Sequence, residues 1–206
     1  ASFPKTYIIQ RNLRIRWITR RYLMQKMDLR VIKTKKNLFK TLLQLLQTNH
    51  FNDITITKLC EQSEINRSTF YTHYSNIDDL FETHMLEIME ILKHEFEKSY
   101  EKIKLLENNG LTNVFQHILE YQYFYDILFS EKIPTKYTLL FIKHYMLFPK
   151  KIISRYAKNE IDFDLYYTFC SSATIGLIIH WRNTGYAQSV LHMSTQTIKF
   201  FSRDFN

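Results

Sequence analysis

The chain has 206 residues, enough for one large or two small domains with a buried core, and only three Gly and three Pro interrupt it. Its two cysteines lack metal-ligand spacing and no apolar run approaches the ~18 residues that span a bilayer, which excludes a cysteine-based metal site and a transmembrane protein. The net charge of +8 is localised, because residues 1–26 contain seven basic residues and no acidic one, which leaves +1 for the remainder.

Few residues in the chain break helices, and no repeated pattern of strands separated by turn residues is present. The sequence therefore predicts an all-α fold. Cys60 and Cys170 fall on apolar helix faces, where a free cysteine usually packs as a small hydrophobic residue; a redox sensor is the alternative. Reduced cysteines and the lack of a secretory signal are typical of a cytoplasmic protein, and we expect no membrane contact.

Residues 1–26 form a basic leader in which apolar residues are scattered among arginines without a helical or strand period. Three interpretations compete. The leader could be an arm that follows DNA phosphates, a segment that lies on a membrane surface, or a stretch that is foreign to the natural fold.

The first predicted helix covers residues 32–49. Apolar residues at i, i+4, i+7 and i+8 predict one buried stripe in it, formed by Leu38, Leu42, Leu45 and Leu46. Four lysines between positions 33 and 40 crowd its beginning, which is the unfavourable end of the helix dipole for cations. A DNA backbone nearby would offset that placement, and a solvated lysine face explains it equally well.

Two short helices joined by a tight turn are predicted between positions 54 and 74. The first has apolar residues at 56, 59 and 60, and the second follows Asn66 as a capping residue and keeps Phe70 and Tyr74 on its inner face. The outer side chains of the second helix have hydrogen-bonding ends and one formal charge, which suits the major groove of DNA. A helical hairpin with a polar solvent face is the alternative.

From Ile54 the chain reads ITITKLCEQSEINRSTFYTHY and then SNIDDLF, and NRSTFYTHY is the most specific part of this string. The string resembles the helix-turn-helix of the TetR family of bacterial transcription regulators, and the resemblance extends from Ile32 to Leu80. The segment that opens at Met27 is similar to the beginning of many family members. That similarity favours the interpretation of the leader as foreign to the natural fold.

The resemblance implies an N-terminal three-helix helix-turn-helix domain at 27–76 and a C-terminal helical regulatory and dimerisation domain at 77–206, with 77–105 as a linker helix. It implies a homodimer whose recognition helices enter major grooves ~34–36 Å apart. Ser68 and Thr69 would read bases, while Tyr71 and His73 would contact phosphates. The full set expected at operator DNA is Thr55, Thr57, Arg67, Ser68, Thr69, Tyr71, Thr72 and His73.

The chain departs from the family pattern around this motif. Glu64 stands in the turn where family members often carry a glycine in the left-handed conformation. A non-glycine residue can adopt that conformation at a cost of roughly 1 kcal/mol. Ile77 replaces a lysine that grips phosphate in many members. Asp78 and Asp79 complement the helix dipole there but oppose an approaching anion. Backbone amides of that first turn could still bind phosphate.

The linker helix should have an inner stripe made of Phe81, Met85, Ile88, Leu92 and Phe96. His84, beside that stripe, is better interpreted as a satisfied core residue than as a ligand or a switch. After a break at 107–110, further helices are predicted over 111–129, interrupted near Glu120, and over 134–157, kinked by Pro149. A loop at 159–163 follows.

The last two predicted helices cover 164–183 and 189–204. Five residues of the last one should face inward: Val190, Met193, Thr197, Phe200 and Phe201. The stretch 171–184 is apolar all round, which predicts a two-fold dimer interface made by Gly176, Ile178 and Trp181. The pattern formed by Gly176, Trp181 and Gly185 also resembles the C-terminal end of the regulatory domain in a Firmicutes-type branch of the family.

Fourteen of the 32 aromatic residues lie between positions 121 and 169. This density could line a cavity for an apolar inducer, with Tyr123, Tyr145 and Tyr166 as candidates. An overall bias toward aromatic residues makes ordinary core packing the preferred explanation.

These patterns predict a ligand-responsive repressor that binds operator DNA as a homodimer. A competing hypothesis is a helical co-regulator of the same fold that docks a protein, which Ile77 and the near-neutral body favour slightly. We find no nucleophile motif, metal-ligand cluster or phosphate-binding glycine loop, and so expect no catalytic residue, no metal, no cofactor and no enzymatic activity.

Overall fold

The computed structural model describes residues 29–105, 107–147 and 162–203, which form ten α-helices and one 3₁₀ turn and contain no β-strand. The prediction of an all-α fold is confirmed. The leader at 1–26, the kink at Pro149 and most of the loop at 159–163 lie outside the described residues.

The N-terminal three-helix unit, called the head here, has a core built from the predicted leucine stripe. Leu38, Leu42 and Leu46 have no exposed surface, and they pack with Leu59 and Phe70 of the two following helices. The stripe is buried because its spacing places every member on one face of the first helix. The head comprises α1 (Leu29–Leu45), a 3₁₀ turn (Phe51–Asp53), α2 (Ile56–Ser63) and α3 (Arg67–His73).

The linker helix α4 covers Ile77–Lys98, and a short helix α5 (Tyr100–Lys104) follows it. The prediction of one helix over 77–105 misses an interruption at Ser99, whose amide donates to the carbonyls of both Glu95 and Phe96 at 3.1 Å. The predicted inner stripe is confirmed, because Phe81, Met85, Ile88, Leu92 and Phe96 are all buried.

Aromatic side chains of α4 join the head to the C-terminal half. Phe81 lies 5.7 Å from Phe51 of the head and 4.6 Å from Tyr137, measured between ring centroids. His84 stacks on Phe39 at 4.4 Å, and its Nε2 is 2.9 Å from the Tyr74 hydroxyl. The interpretation of His84 as a satisfied core residue is therefore confirmed.

The C-terminal half begins after the predicted break at 107–110. A Cβ on Gly110 would stand 3.0 Å from the Glu107 carbonyl oxygen and 3.2 Å from the backbone of Ile103, so any side chain here would crowd the backbone. The predicted interruption of the next helix is confirmed at Tyr121. The helices are α6 (Thr112–Glu120), α7 (Gln122–Leu128), α8 (Thr135–Tyr145), α9 (Phe163–Asn183) and α10 (Val190–Arg203).

Helix α10 closes this half by packing on the start of α6. The Ser194 hydroxyl donates to the Asn108 carbonyl at 2.9 Å and accepts from the Leu111 amide at 3.0 Å. The buried stripe is centred on Ser194 and Thr197, so Phe200 falls at its edge and is exposed. The prediction that Phe200 faces inward is wrong for that reason.

Candidate nucleic-acid interface and regulatory site

The turn between α2 and α3 has the geometry that a helix-turn-helix requires. Glu64 adopts the left-handed conformation with φ 55° and ψ 35°, and the Ile65 amide donates to the Cys60 carbonyl at 3.0 Å, which ends α2. Asn66 then caps α3 by accepting from the Ser68 amide at 2.9 Å. The predicted left-handed residue and the predicted cap are both confirmed.

Helix α1 braces this motif from behind. The Asn37 side chain donates from Nδ2 to the Ser63 carbonyl oxygen at 2.9 Å, at the last residue of α2. The inner faces of α2 and α3 are held by buried Leu59, Cys60 and Phe70. Packing therefore orients α3, and the hydrogen bond fixes the end of α2 that precedes it.

The eight residues predicted to contact DNA lie on the open side of the motif. None of them is buried: Thr55, Thr57, Arg67, Ser68, Tyr71 and Thr72 are exposed, and Thr69 and His73 are half-buried. Thr55 also accepts from the Lys58 amide at 3.2 Å as the α2 cap, and Thr72 donates its hydroxyl proton to the Ser68 carbonyl. Thr55 is therefore positioned mainly as a capping residue.

Tyr71 is the largest of these side chains and is 51% exposed. Its ring stands edge-on to the buried Phe70 ring with centroids 5.6 Å apart, so one side of the ring is supported while the rest projects into solvent. A supported aromatic ring loses little conformational entropy when its hydroxyl forms a hydrogen bond.

Lys35 of α1 reaches the end of the recognition helix. Its Nζ lies 5.7 Å from the centre of the Tyr74 ring. Partial burial lowers the pKa of His73, and the charge of Lys35 lowers it further, so the imidazole is neutral at pH 7. In the DNA-free protein, His73 therefore presents a neutral imidazole with an N–H that can donate a hydrogen bond. Sequence inspection grouped Lys35 with the other α1 lysines, because only the packing of α1 places it here.

Both carboxylates of the first turn of α4 are engaged within the chain. Asp79 accepts from the amide and the hydroxyl of Ser75 at 2.8 and 3.0 Å, and these bonds lower the pKa of Asp79. Asp78 is bound by Lys136 and Tyr137. Ile77, at the position where the resemblance implies a lysine that grips phosphate, is buried and apolar and so offers no charge to a phosphate.

The charge of the body is divided between its two halves. Residues 29–76 contain seven basic and three acidic residues, whereas residues 77–206 contain 14 basic and 16 acidic ones. The head therefore carries +4 and the remainder −2. This asymmetry favours an anionic partner at the head.

Two of the three residues predicted at a dimer interface are buried inside the protomer. Trp181 has no exposed surface, lies 5.6 Å edge-on from Phe115, and donates from Nε1 to the Gln188 carbonyl at 2.9 Å. Ile178 likewise has no exposed surface. A side chain enclosed by its own chain cannot contact a partner, so Trp181 and Ile178 are wrong as interface residues. Gly176 is exposed on the opposite side of α9.

The three tyrosines predicted to line a cavity do not share one environment. Tyr123 is 65% exposed and lies on the outside of α7, so it is wrong as a cavity-lining residue. Tyr145 is buried and hydrogen-bonded to Thr174 of α9. Tyr166 is half-buried.

A buried cluster with unsatisfied polar atoms lies between α6, α7 and α8. Within the described residues, neither His117 Nε2 nor the Tyr125 hydroxyl has a hydrogen-bond partner, although both residues are buried. Their ring centroids are 6.0 Å apart, and Tyr125 stands edge-on to Phe141 at 5.8 Å. Burial lowers the pKa of His117 to about 4, so its imidazole is neutral. Sequence inspection missed both residues, because nothing local marks an unsatisfied buried atom.

The described residues contain no group of three or more His, Cys, Asp or Glu side chains placed to hold a metal ion. No helix in the same part of the chain is long and apolar enough to cross a membrane.

Comparisons with known sequences find two relevant matches. A family model described as a transcriptional regulator C-terminal region, TetR_C_8, matches residues 107–203. The uncharacterised HTH-type transcriptional regulator YxbF of Bacillus subtilis (strain 168) is 37% identical over 60 residues, which are 29% of this chain. The matched stretch spans only 16% of that relative.

Two solved structures share the fold. A TetR transcriptional regulator from Streptococcus agalactiae 2603V is 20% identical, with 86% of this chain and 98% of that chain covered and a TM-score of 0.61. The transcriptional regulator FadR from Bacillus subtilis, solved in complex with stearoyl-CoA, is 14% identical, with 80% and 95% covered and a TM-score of 0.59.

Proposed function

Because the chain belongs to the TetR family of transcription regulators, we propose that it binds operator DNA as a homodimer and releases the operator when a small molecule occupies its C-terminal half. We assign DNA binding to residues 27–76, and ligand binding and dimerisation to residues 77–206. Binding over a promoter would exclude RNA polymerase, so the proposed activity is repression.

The outer face of α3 is the observation that carries this proposal. Arg67, Ser68, Tyr71 and Thr72 are exposed on a short, capped helix that is braced by α1. A helix that presents several hydrogen-bonding side chains from a rigid support can enter the major groove and read base edges. In a symmetric dimer, two such helices would lie ~34–36 Å apart and recognise a palindromic site.

Selection of genomic DNA fragments by the purified protein tests this proposal. We expect enrichment of a short palindromic sequence whose half-sites are about one helical turn apart. Affinity for that sequence should fall steeply with salt, because bound phosphates release counterions. Recovery of no DNA sequence, with no salt-dependent binding, would contradict the proposal.

The competing co-regulator hypothesis loses one of its supports. It drew on the near-neutral charge of the body, but residues 29–76 carry +4 and residues 77–206 carry −2, and Asp28 brings the total to +1. A basic head matches a nucleic-acid partner better than a generic docking module. We therefore retain DNA binding as the single proposed function.

Tyr71→Ala should weaken operator binding by about 1–3 kcal/mol, the usual effect of losing one good polar contact. The helical circular dichroism signal should not change, because the ring is exposed and α3 is held by Phe70. Fluorescence anisotropy with the selected operator measures the loss. Tyr123→Ala, at a tyrosine of α7 that is 65% exposed, is the matched control and should bind like wild type. Equal affinity of all three proteins would argue against the proposed recognition face.

Lys35→Met should reduce the slope of log affinity against log salt by about one unit. We propose that Lys35 supplies the phosphate contact that Ile77 cannot make, because its ammonium lies beside the end of α3 and the first turn of α4. Lys143→Met, at an exposed lysine of α8, is the control and should leave the slope unchanged. An unchanged slope for Lys35→Met would remove Lys35 from the interface.

A second copy of the chain is proposed to cover an exposed apolar stripe on α9. Leu165, Phe169 and Gly176 are exposed and follow each other at spacings of four and seven residues, which places them on one helical face. Leu191 and Phe200 of α10 are also exposed apolar residues. A two-fold axis through this face would bury the stripe against itself.

The inducer is proposed to bind at the buried cluster of α6, α7 and α8. An unsatisfied buried hydroxyl or imidazole nitrogen costs about 1–3 kcal/mol, so His117 and Tyr125 are destabilising unless a ligand pairs with them. A partly apolar molecule with a hydrogen-bonding end suits this setting of aromatic rings. Tyr145 borders the same cluster through Phe141, at a centroid distance of 5.9 Å.

Tyr125→Phe should raise the free energy of unfolding by about 1 kcal/mol, because it removes the unsatisfied hydroxyl and keeps the ring. The same variant should lose the thermal shift that an inducer from a compound screen produces with wild type. Tyr145→Phe is the control, since its hydroxyl is bonded to Thr174 and its loss should destabilise the protein instead. Destabilisation by Tyr125→Phe would show that its hydroxyl is paired.

A further inference from the structure

The loop before α8 contacts the head directly, without passing through the linker helix. The Phe51 amide of the head donates to the Lys132 carbonyl oxygen at 2.8 Å, and the Lys132 ammonium donates to the Gln47 carbonyl oxygen. The loop itself is held in place, since the Lys132 amide donates to the Ser130 hydroxyl at 3.2 Å and Ser130 donates to the Ile127 carbonyl at 2.8 Å.

The first turn of α8 makes a second contact, with the first turn of α4, which follows the head directly in the chain. The Tyr137 hydroxyl donates to Asp78 Oδ1 at 2.6 Å, and the Lys136 ammonium binds the same oxygen. Hydrogen bonds from Lys136 and Tyr137 lower the pKa of Asp78. Tyr137 has no exposed surface, and its ring lies 5.4 Å from the Phe51 ring, so both partners are held in position.

Asp78 is close to the recognition helix along the chain. Helix α3 ends at His73, and Asn76 caps α4 by accepting from the Asp79 amide at 2.8 Å, so Asp78 lies one residue from that cap bond. Because only a tight, hydrogen-bonded link separates α3 from Asp78, a displacement of Asp78 must displace the end of α3.

The other end of α8 lies at the buried cluster proposed for the inducer. Phe141 stands edge-on to Tyr125, and Tyr145 lies 6.1 Å from Phe96 of α4. Eight residues separate Tyr137 from Tyr145, which is about 12 Å of helix axis. One short, rigid helix therefore contacts the head at its beginning and the candidate inducer site at its end.

We propose that Lys132, Lys136 and Tyr137 form a clamp in which Lys132 holds the head and the other two residues hold the first turn of α4 beside it. Helix α8 would transmit inducer binding to the recognition helix by opening this clamp. The inference rests on the proposed function for its DNA-binding consequence, whereas the clamp itself does not depend on DNA. It gives the head two attachments, the covalent one through α4 and the non-covalent one through α8. The second is the attachment that a ligand can weaken, because it contains hydrogen bonds and an ion pair rather than a continuous helix.

The test combines amide hydrogen exchange with operator binding on the full chain. The variant Lys136→Met/Tyr137→Phe removes both bonds to Asp78 and keeps the Tyr137 ring in the core. Tyr186→Phe is the matched control, because its hydroxyl donates to Asp126 at 3.0 Å within the regulatory half and so removes the same type of bond away from the head. Asp78→Asn weakens the clamp from the other partner and serves if the double variant folds poorly.

We expect exchange of the Phe51 amide and of the head to accelerate about tenfold in the clamp variants and to be unchanged in Tyr186→Phe. Operator affinity of the double variant should fall at least about fivefold. Unchanged exchange in both clamp variants would overturn the clamp. Accelerated exchange with unchanged operator affinity would overturn its role in regulation. If wild type binds no DNA, the proposed function fails, and the exchange result still decides whether the clamp holds the head.

Discussion

Trp181→Ala should lower the free energy of unfolding by about 3–5 kcal/mol, the largest single-residue effect that we expect in this protein. The indole has no exposed surface, packs edge-on against Phe115 at 5.6 Å and Tyr186 at 5.2 Å, and donates its N–H to the Gln188 carbonyl. Truncation would therefore leave a cavity and an unpaired carbonyl at the junction of α6, α9 and the turn that follows. Urea unfolding monitored by circular dichroism measures the change.

Tyr123→Ala is the control for this effect, because its aromatic ring is mostly exposed and its loss should change stability by less than about 0.5 kcal/mol. The outcome separates two interpretations of Trp181. A protein that unfolds far more easily supports its place in the protomer core. A stable, folded monomer would instead return Trp181 to the dimer interface that the sequence first suggested.

Phe169→Asp should convert the proposed dimer into monomers and abolish tight operator binding. Phe169 is 59% exposed in the protomer, so the substitution leaves the folded chain intact, but each dimer would contain two desolvated carboxylates and lose two buried rings. At about 1.5–3 kcal/mol per ring, the loss amounts to at least 3 kcal/mol, or more than a hundredfold in dimer affinity. Sedimentation velocity measures the mass of the species.

The matched control is Leu139→Asp, which places the same charge at a leucine of α8 that is 60% exposed. That variant should remain dimeric and bind operator DNA like wild type. Dissociation of both variants, or of neither, would show that the α9 stripe is not the interface. Operator affinity provides a second measurement, since a monomer contacts only one half-site.

The head was predictable from sequence because its determinants are local. The leucine stripe of α1, the caps at Thr55, Asn66 and Asn76, and the left-handed residue Glu64 all follow from interactions between residues at most eight positions apart. Local interactions also decide which residues of α3 point outward, once Phe70 and Tyr74 are recognised as the inner pair. The residues of the candidate DNA-binding face could therefore be predicted almost completely from the sequence.

The C-terminal half was predicted less well, because α9 is apolar on every side and its inner face cannot be recognised from the sequence. Helix α9 contains both Trp181, which is buried against α6, and Phe169, which is exposed. Periodicity cannot distinguish the two faces of a helix that is apolar all round. The exposed Tyr123 and the buried Tyr125 illustrate the same limit within α7.

The sequence alone thus determined the helical class, the helix-turn-helix and its candidate DNA-binding face, since each depends on spacing and capping within one short segment. Only the tertiary structure decided which contacts a side chain makes when its partners are distant in sequence. Asp78 appeared to repel phosphate until Tyr137, 59 residues away, was found to bind it. Lys35 reached the end of α3 only through the packing of α1. The physical reason is that the electrostatic behaviour of a charged side chain depends on the groups that lie within a few ångströms of it. The fold brings those groups together, and the local sequence does not identify them.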